Sequence, residues 1–180
     1  MKRITLITTV LILLLSTTAW AQKKEEKEQK DEKGTPSITV KVDGLNCNTS
    51  LGTGTFAISA WSFGASQSGT ASSGGGGGAG KATISDLHVQ KQFDECSPLL
   101  FNGVVTGKHF QTVSLVQQDK KTTVMTVTLT DVLISSYQIG GSRGDSDPNE
   151  SVSFSFAKIC INNVSSGTQS CFDSKTNTVQ

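Results

Sequence analysis

The chain has 180 residues, with 16 basic and 15 acidic side chains and a formal net charge of +1. This length holds one ordinary domain. A nearly balanced charge gives no electrostatic basis for binding nucleic acid or an anionic lipid surface, so we expect neither as a partner.

Residues 1–21 are predicted to be a secretory signal peptide. A lysine and an arginine open the chain, the apolar stretch 4–15 is short for a membrane span, and residues 19–21 give an A-x-A cleavage pattern. Cleavage would leave Gln22 as the first residue and take the net charge from +1 to −1. An uncleaved anchor is the alternative. We expect an exported protein, periplasmic or secreted, with no stable membrane span after cleavage.

Residues 22–35 are predicted to be a charged, disordered linker. The block 23–33 mixes both signs and contains no apolar side chain, so it can bury nothing to offset the entropy of ordering. A specific docking arm is the alternative interpretation.

Four cysteines follow the predicted signal: Cys47, Cys96, Cys160 and Cys171. An even number in an exported chain favours disulfides, and four cysteines allow three pairings. Cys160 and Cys171 flank a turn-rich stretch and could close a short loop, which would leave Cys47 with Cys96. Zinc is the other use of thiols, but there is no C-x-x-C spacing and the two histidines are not clustered with them. We therefore predict no metal site.

Two strands are predicted early in the domain. Ile38, Val40 and Val42 alternate with polar residues up to a turn at 43–44. Residues 56–63 form a second predicted strand with apolar side chains on both faces. Such a pattern indicates a strand of a barrel wall that something else covers.

A glycine-rich loop, residues 66–80, precedes a third predicted strand at 81–90. The apolar pattern changes phase across Ser85-Asp86, as a β-bulge would produce. The loop nearly matches a phosphate-binding loop at 75–81. A strand pattern follows it where that site needs a helix, and Ala82 replaces the magnesium-binding hydroxyl, so we predict no nucleotide or other cofactor.

One helix is predicted to begin at Ser97-Pro98. Ser97 is expected to accept from the free amides of the first turn, and Pro98 to occupy the first helical position. Leu99–Phe101 provide an apolar side, and Gly107 is placed to end the helix in a left-handed conformation. Gly103 weakens the helix by about 1 kcal/mol relative to alanine, so packing must support it.

Three more strands are predicted at 110–118, 122–137 and 151–161, the middle one bent or broken near Asp131, with an exposed loop at 140–148. Together these patterns predict a mainly β fold. It is a small barrel of about six to eight antiparallel strands with one short α-helix packed on it.

The predicted barrel domain is residues 36–161, and residues 162–180 form a C-terminal extension.

No catalytic residue is predicted. His88 and His109 are candidate bases, but neither is accompanied by a nucleophile motif or a paired carboxylate. The carboxylates are scattered over strand ends and turns: Asp43, Asp86, Asp94, Glu95, Asp131 and Glu150. We predict that the protein is not an enzyme; a hydrolase is an alternative that no residue supports.

Several blocks of the sequence resemble one family, the haemolysin-coregulated proteins (Hcp) of type VI secretion. The blocks are 61–67, 80–88, 97–100, 106–109, 129–137 and 150–159. They occur in the family's order over roughly 38–161, and several matches in register are more specific than any single motif.

The resemblance implies a tube protein in which six copies close a ring and rings stack, with secreted effectors or apparatus components as partners. It implies that two loops make subunit contacts, one from Asn46 to Thr55 and one from Gly74 to Lys81. It gives a structural role to eight matched positions: Trp61, Ser97, Pro98, Lys108, His109, Asp131, Phe154 and Phe156.

The predicted signal, the linker, the cysteines and the tail depart from the family pattern. The alternative function is therefore an exported binding or interaction module that keeps the barrel but no longer belongs to the tube.

Overall fold

The structure, a computed structural model, describes residues 37–68, 80–144 and 146–180. The predicted signal peptide, the predicted linker and Gly74 lie outside the described residues. Within the described ranges the chain forms thirteen strands and one α-helix. In chain order they are β1 (Ile38–Val42), β2 (Asn48–Thr49), β3 (Gly52–Thr53), β4 (Thr55–Ala57), β5 (Ala60–Ser62), β6 (Ala65–Gln67), β7 (Ala82–Ile84), β8 (Leu87–Gln92), α1 (Ser97–Thr106), β9 (His109–Asp119), β10 (Thr122–Gly140), β11 (Asn149–Asn163), β12 (Thr168–Asp173) and β13 (Thr178–Val179).

The main sheet has nine antiparallel strands. Its path runs β13-β12-β11-β10-β9-β1-β4, with β8 joined to β11 and β5 joined to β8. β11 pairs with β10 along its length, while its other edge is shared between β8 at 149–154 and β12 at 158–163. The prediction of a mainly β fold with one short helix is confirmed. The predicted extension, 162–180, supplies the two strands β12 and β13 of this sheet.

One segment, residues 55–62, pairs with two different strands of the main sheet. β4 pairs with β1 and β5 pairs with β8, and only Ile58 and Ser59 lie between β4 and β5. The Ile58 amide donates to Ile38 O at 3.1 Å and the Ser59 amide donates to Gln90 O at 2.8 Å. The predicted single strand 56–63 is therefore wrong in extent. Its backbone changes hydrogen-bonding partners at 58–59, from β1 to β8, so no continuous ladder closes the sheet into a barrel.

The core fills the inside of this curled sheet. Its fully buried side chains come from most of the main strands and include Val40, Phe56, Leu87, Val89, Leu115, Val127, Leu129, Val152 and Phe154. Each strand contributes alternate residues because successive side chains point to opposite faces of a sheet. The alternating pattern predicted for β1 is confirmed.

The long strands change phase at Asp131. On β10 the buried residues are Val127 and Leu129 and then Val132 and Ile134, so the inward-facing series shifts by one residue. Asp131 has a backbone φ of 53°, a left-handed conformation that aspartate adopts more readily than most residues. The predicted irregularity is located here, and β10 continues through it to Gly140.

The helix start differs from the prediction. The residue before the first turn is Cys96, and no side chain caps the helix amides. Ser97 is the first helical residue and Pro98 the second, where a missing amide donor still costs nothing. The predicted capping role of Ser97 is wrong because its hydroxyl is occupied elsewhere. The predicted end is confirmed: Gly107 has φ 61° and its amide donates to Val104 O.

Gly103 lets α1 approach the sheet closely. A methyl group at this position would lie 3.0 Å from Ile134 Cδ1 and 3.4 Å from the Phe110 ring. The absence of a side chain therefore brings the helix backbone against β9 and β10, which offsets the weaker helix propensity of glycine.

Two short hairpins stand outside the main sheet. β2 pairs only with β3, and β6 pairs with β7. Residues 81–90 were predicted as one bulged strand, but the chain breaks at Ser85-Asp86. β7 belongs to its hairpin and β8 to the main sheet.

We predict that the β9–β10 turn carries removable backbone strain. Lys120 and Lys121 have φ values of 46° and 73°, as the two-residue turn between the paired residues Asp119 and Thr122 requires. Lys121→Gly should raise the free energy of unfolding by about 1 kcal/mol, because side chains at positive φ cost about 1–2 kcal/mol. Urea unfolding measures the change. Thr122→Gly, one residue further into β10, should lower it by about 0.5–1 kcal/mol. Equal effects of the two variants would contradict the strain.

Candidate assembly surface

A buried ion pair lies beneath the helix. Lys91 on β8 and Glu150 on β11 are directly paired residues, and Lys91 Nζ is 2.8 Å from Glu150 Oε2. Both side chains are 0% exposed. Lys91 Nζ is also 2.9 Å from Asp94 Oδ1, 2.8 Å from Gln92 O and 5.4 Å from the centre of the Phe56 ring. A charge pair removed from water needs such additional partners to be tolerated.

Ser97 and Tyr137 complete the cluster. The Ser97 hydroxyl donates to Glu150 Oε2 at 2.8 Å and accepts from Lys91 Nζ and the Asp94 amide, each at 2.9 Å. The Tyr137 hydroxyl donates to Glu150 Oε1. Within the described residues, every buried side-chain nitrogen and oxygen has a hydrogen-bond partner. The ion cluster (Lys91, Asp94, Ser97, Tyr137 and Glu150) thus joins α1, β8, β10 and β11.

The sequence reasoning missed this cluster, although the strand pattern contained a signal for it. On β8, Lys91 continues the alternating series of inward-facing residues Leu87 and Val89. On β11, Glu150 lies two residues before Val152 and therefore faces the same buried side. A charged residue in an inward-facing position of a strand predicts a buried charge. Two such residues of opposite sign predict a buried ion pair.

Burial, followed by the hydrogen bond to Glu150, raises the pKa of Tyr137 above its ordinary value of 10.0. As the pH rises above 10, the Tyr137 hydroxyl therefore loses its proton in the unfolded chain before it does so in the folded protein. Because the folded state then retains more protons, we expect its stability to fall with further rise in pH.

This shift is measurable because Tyr137 is the one tyrosine of the sequence. We predict that phenolate absorbance of the folded protein stays absent at pH 10–11 and appears only together with unfolding. The urea-unfolded chain should titrate near pH 10. Tyr137→Phe, the matched control, should give no phenolate signal. Reversible ionisation of the folded protein near pH 10 would contradict the burial and bonding of this hydroxyl.

The first predicted contact loop, from Asn46 to Thr55, is the β2–β3 hairpin. Its base is buried through Leu45 and Cys47, and the Gly54 amide donates to Cys47 O at 2.8 Å. Gly54 has φ 69°, and a side chain there would lie 2.6 Å from Val42 O. The tip exposes Leu51.

All four cysteines are paired in the structure. One disulfide links Cys47 in the β2–β3 segment to Cys96 before α1, and the other links Cys160 to Cys171, which are opposite residues on β11 and β12. The structure therefore has the pairing that sequence spacing favoured among the three.

The second predicted contact loop is described only in part. Gly74 lies outside the described residues, and Lys81 is an exposed residue directly before β7. The described residues on either side of the loop include β6 and β7, which pair with each other outside the main sheet.

Several family-motif positions are packing residues. The Trp61 indole donates to Gln117 Oε1 at 3.2 Å, and its ring stacks on Phe63. Lys108 Nζ donates to Gly44 O at 3.0 Å and lies over the Phe110 ring. Phe154 is fully buried and Phe156 is half-buried against the core. Pro98 lies in the first turn of α1.

His109 and Asp131 belong to a solvent-exposed ion cluster. Asp131 is 2.7 Å from Lys175 Nζ and 3.3 Å from His109 Nδ1. The hydrogen bond from Lys175, followed by that from His109, lowers the pKa of the Asp131 carboxyl. His109 is the first residue of β9 and contacts this carboxylate. His88 contacts a different partner, Ser153 Oγ at 2.8 Å.

Over the described ranges, no three His, Cys, Asp or Glu side chains converge as metal ligands would. In the same ranges, no helix has the length and apolar character needed to cross a bilayer.

The outer face of α1 is an uncovered apolar surface. The helix contains no charged residue; its inner side buries Leu100, while Phe101 and Val105 are 52% and 63% exposed. Leu99 and Phe93 add to the exposed apolar area, and Phe101 contacts the Tyr137 ring edge-on. Uncovered apolar patches of this kind mark interaction sites.

Comparisons with known proteins agree with this fold. The sequence profile of the family described as "Type VI secretion system effector, Hcp" matches residues 32–162. The protein Hcp1 of Pseudomonas aeruginosa is 37% identical over 85 residues, which is 45% of this chain and 52% of that relative. The match thus spans about half the length of the relative.

Solved structures show the same fold. A structure described as a type six secretion system protein superposes with a TM-score of 0.71 at 23% identity, over 81% of this chain and 100% of its own. Hcp1 from Salmonella typhimurium gives a TM-score of 0.67 at 24% identity, over 79% and 97%. A type VI secretion system effector from Yersinia pestis gives 0.63 at 25% identity, over 76% and 98%. The profile match covers more than half of the chain, and the chain belongs to the Hcp family of type VI secretion tube proteins.

Proposed function

We propose that this protein is a ring-forming subunit of the Hcp type. Six copies close a ring, and rings stack into a tube that carries secreted effectors. The family match over residues 32–162 is the observation that carries this proposal. The fold shared with solved secretion proteins, at TM-scores up to 0.71, supports it.

A closed ring needs a heterologous contact, in which one surface of a subunit meets a different surface of its neighbour. The outer face of α1 offers one such surface, because Phe101 and Val105 remain more than half exposed in the described domain and the helix carries no charged residue. The β2–β3 hairpin offers a second, with Leu51 at its tip. We infer that both contribute to contacts between copies.

The protein acts in an oxidising compartment under this proposal, after export directed by residues 1–21. Both cysteine pairs in the structure are consistent with oxidation. Its partners are other copies of itself and secreted effectors or components of the secretion apparatus. The role is structural, with neither an enzymatic activity nor a cofactor.

The disulfide pairs also favour a second candidate function. In this second candidate, the protein is an exported binding module that keeps the fold, stabilised by two disulfides, and no longer assembles into rings. The two functions differ in oligomeric state.

We predict a native mass six times that of one chain when the protein is purified under oxidising conditions and measured by light scattering. Phe101→Glu should shift the mass toward the monomer, because it places a charge on the uncovered apolar face. Lys120→Glu, at the exposed β9–β10 turn, is the matched control and should leave the mass unchanged. A folded wild-type monomer at every concentration tested would reject the ring and favour the binding module.

A further inference from the structure

The β2–β3 hairpin has few attachments to the rest of the domain. Its strands pair only with each other, in a two-stranded sheet of their own. At the base, the Val42 amide donates to Gly54 O at 2.9 Å and the Gly54 amide donates to Cys47 O at 2.8 Å. A buried Leu45 side chain and the bond from Lys108 Nζ to Gly44 O add to this. The hairpin is thus closed at its base.

The disulfide supplies the covalent attachment from the hairpin to the helix. It joins Cys47 to Cys96, which are 49 residues apart, with a Cα–Cα distance of 5.0 Å. Closing a loop of this length lowers the conformational entropy of the unfolded chain, and in the folded state the disulfide adds a covalent bond to the two base hydrogen bonds.

The far end of this bond is rigidly held. Cys96 O accepts from the amides of Leu99 and Leu100 in the first turn of α1, at 3.1 and 2.9 Å. The Cys96 amide donates to Asp94 Oδ1 at 2.8 Å, and Asp94 also contacts Lys91 in the ion cluster. Cys47 is therefore tied to a fixed point of the domain.

We propose that the Cys47–Cys96 disulfide is a latch, set by oxidation, that fixes the β2–β3 hairpin on the start of α1, and that ring assembly requires the latch to be set. The assembly part rests on the proposed function. To set the latch, the two thiols give up two protons and two electrons to a disulfide-bearing oxidant, which becomes a dithiol as the new S–S bond forms.

Burial makes the latch persistent once it is set. Cys47 is 3% exposed and Cys96 is 0% exposed, so a dithiol reductant cannot reach either sulfur of the folded protein in line for exchange. Cys160 is only half-buried, and its bond to Cys171 lies across two neighbouring strands of the main sheet. Whether Cys47 and Cys96 are oxidised during folding would therefore determine whether an exported subunit is competent to assemble.

The test compares two double variants of the full chain, Cys47→Ala/Cys96→Ala and Cys160→Ala/Cys171→Ala, by hydrogen exchange. Loss of the latch should speed exchange at the Gly54 amide at least tenfold, with β9–β11 amides unchanged. The Cys160→Ala/Cys171→Ala control should leave the Gly54 amide at the wild-type rate. Wild-type exchange at Gly54 in the Cys47→Ala/Cys96→Ala variant would overturn the latch.

Native mass separates the latch from the proposed function. We expect the oxidised wild type and the Cys160→Ala/Cys171→Ala control each to have a native mass six times that of one chain. The Cys47→Ala/Cys96→Ala variant should have a smaller native mass. A six-fold mass for all three would overturn the assembly requirement while leaving the ring intact. A monomeric wild type would reject the ring, and the exchange result would then decide the latch alone. If the Cys47→Ala/Cys96→Ala variant does not fold, the Cys160→Ala/Cys171→Ala variant replaces it, because Cys47–Cys96 is then the one disulfide left to reduce. This variant is reduced in mild urea, returned to buffer that contains a reductant, and compared with its own oxidised form, with the same expected and contrary outcomes.

Discussion

Lys91 and Glu150 carry opposite charges on directly paired residues of β8 and β11, and water reaches neither side chain. Desolvation of each charge is costly, so the pair is tolerated only while its other lone pairs and protons are satisfied. Those partners come from Ser97 on α1, Asp94 just before it and Tyr137 on β10. The position of the helix on the sheet is therefore linked to the pairing of three strands.

This link extends to the surface. A helix held at its first turn by Ser97 and brought close to the sheet by Gly103 presents Phe101 and Val105 outward in a defined orientation. The Cys47–Cys96 bond attaches the β2–β3 hairpin to the same end of the helix. Two candidate contact surfaces thus share one support, and damage to the ion cluster would disturb both.

Local patterns predicted much of the fold and little of the cluster. Alternation identified β1, and a left-handed glycine after an apolar stretch identified the end of α1, since both depend on nearby residues. The change of partners at Ile58-Ser59 depends on where Ile38 and Gln90 lie in the folded sheet, which no local pattern contains. Ser97 was expected to cap the helix, but contacts with Lys91 and Glu150, far apart in sequence, determine the direction of its hydroxyl. Tail residues 168–173 form β12 because β11 offers them an unpaired edge, and β13 then pairs with β12.

A double-mutant cycle at Lys91 and Glu150, measured by urea unfolding, tests most directly whether this charge pair holds the domain together. Lys91→Met and Glu150→Leu should each lower the free energy of unfolding by about 3–5 kcal/mol, because each leaves an uncompensated buried charge. The double variant should lose clearly less than the sum, since neither charge then remains. Single losses near zero, or losses that simply add, would show that the pair is not the constraint on which the fold depends.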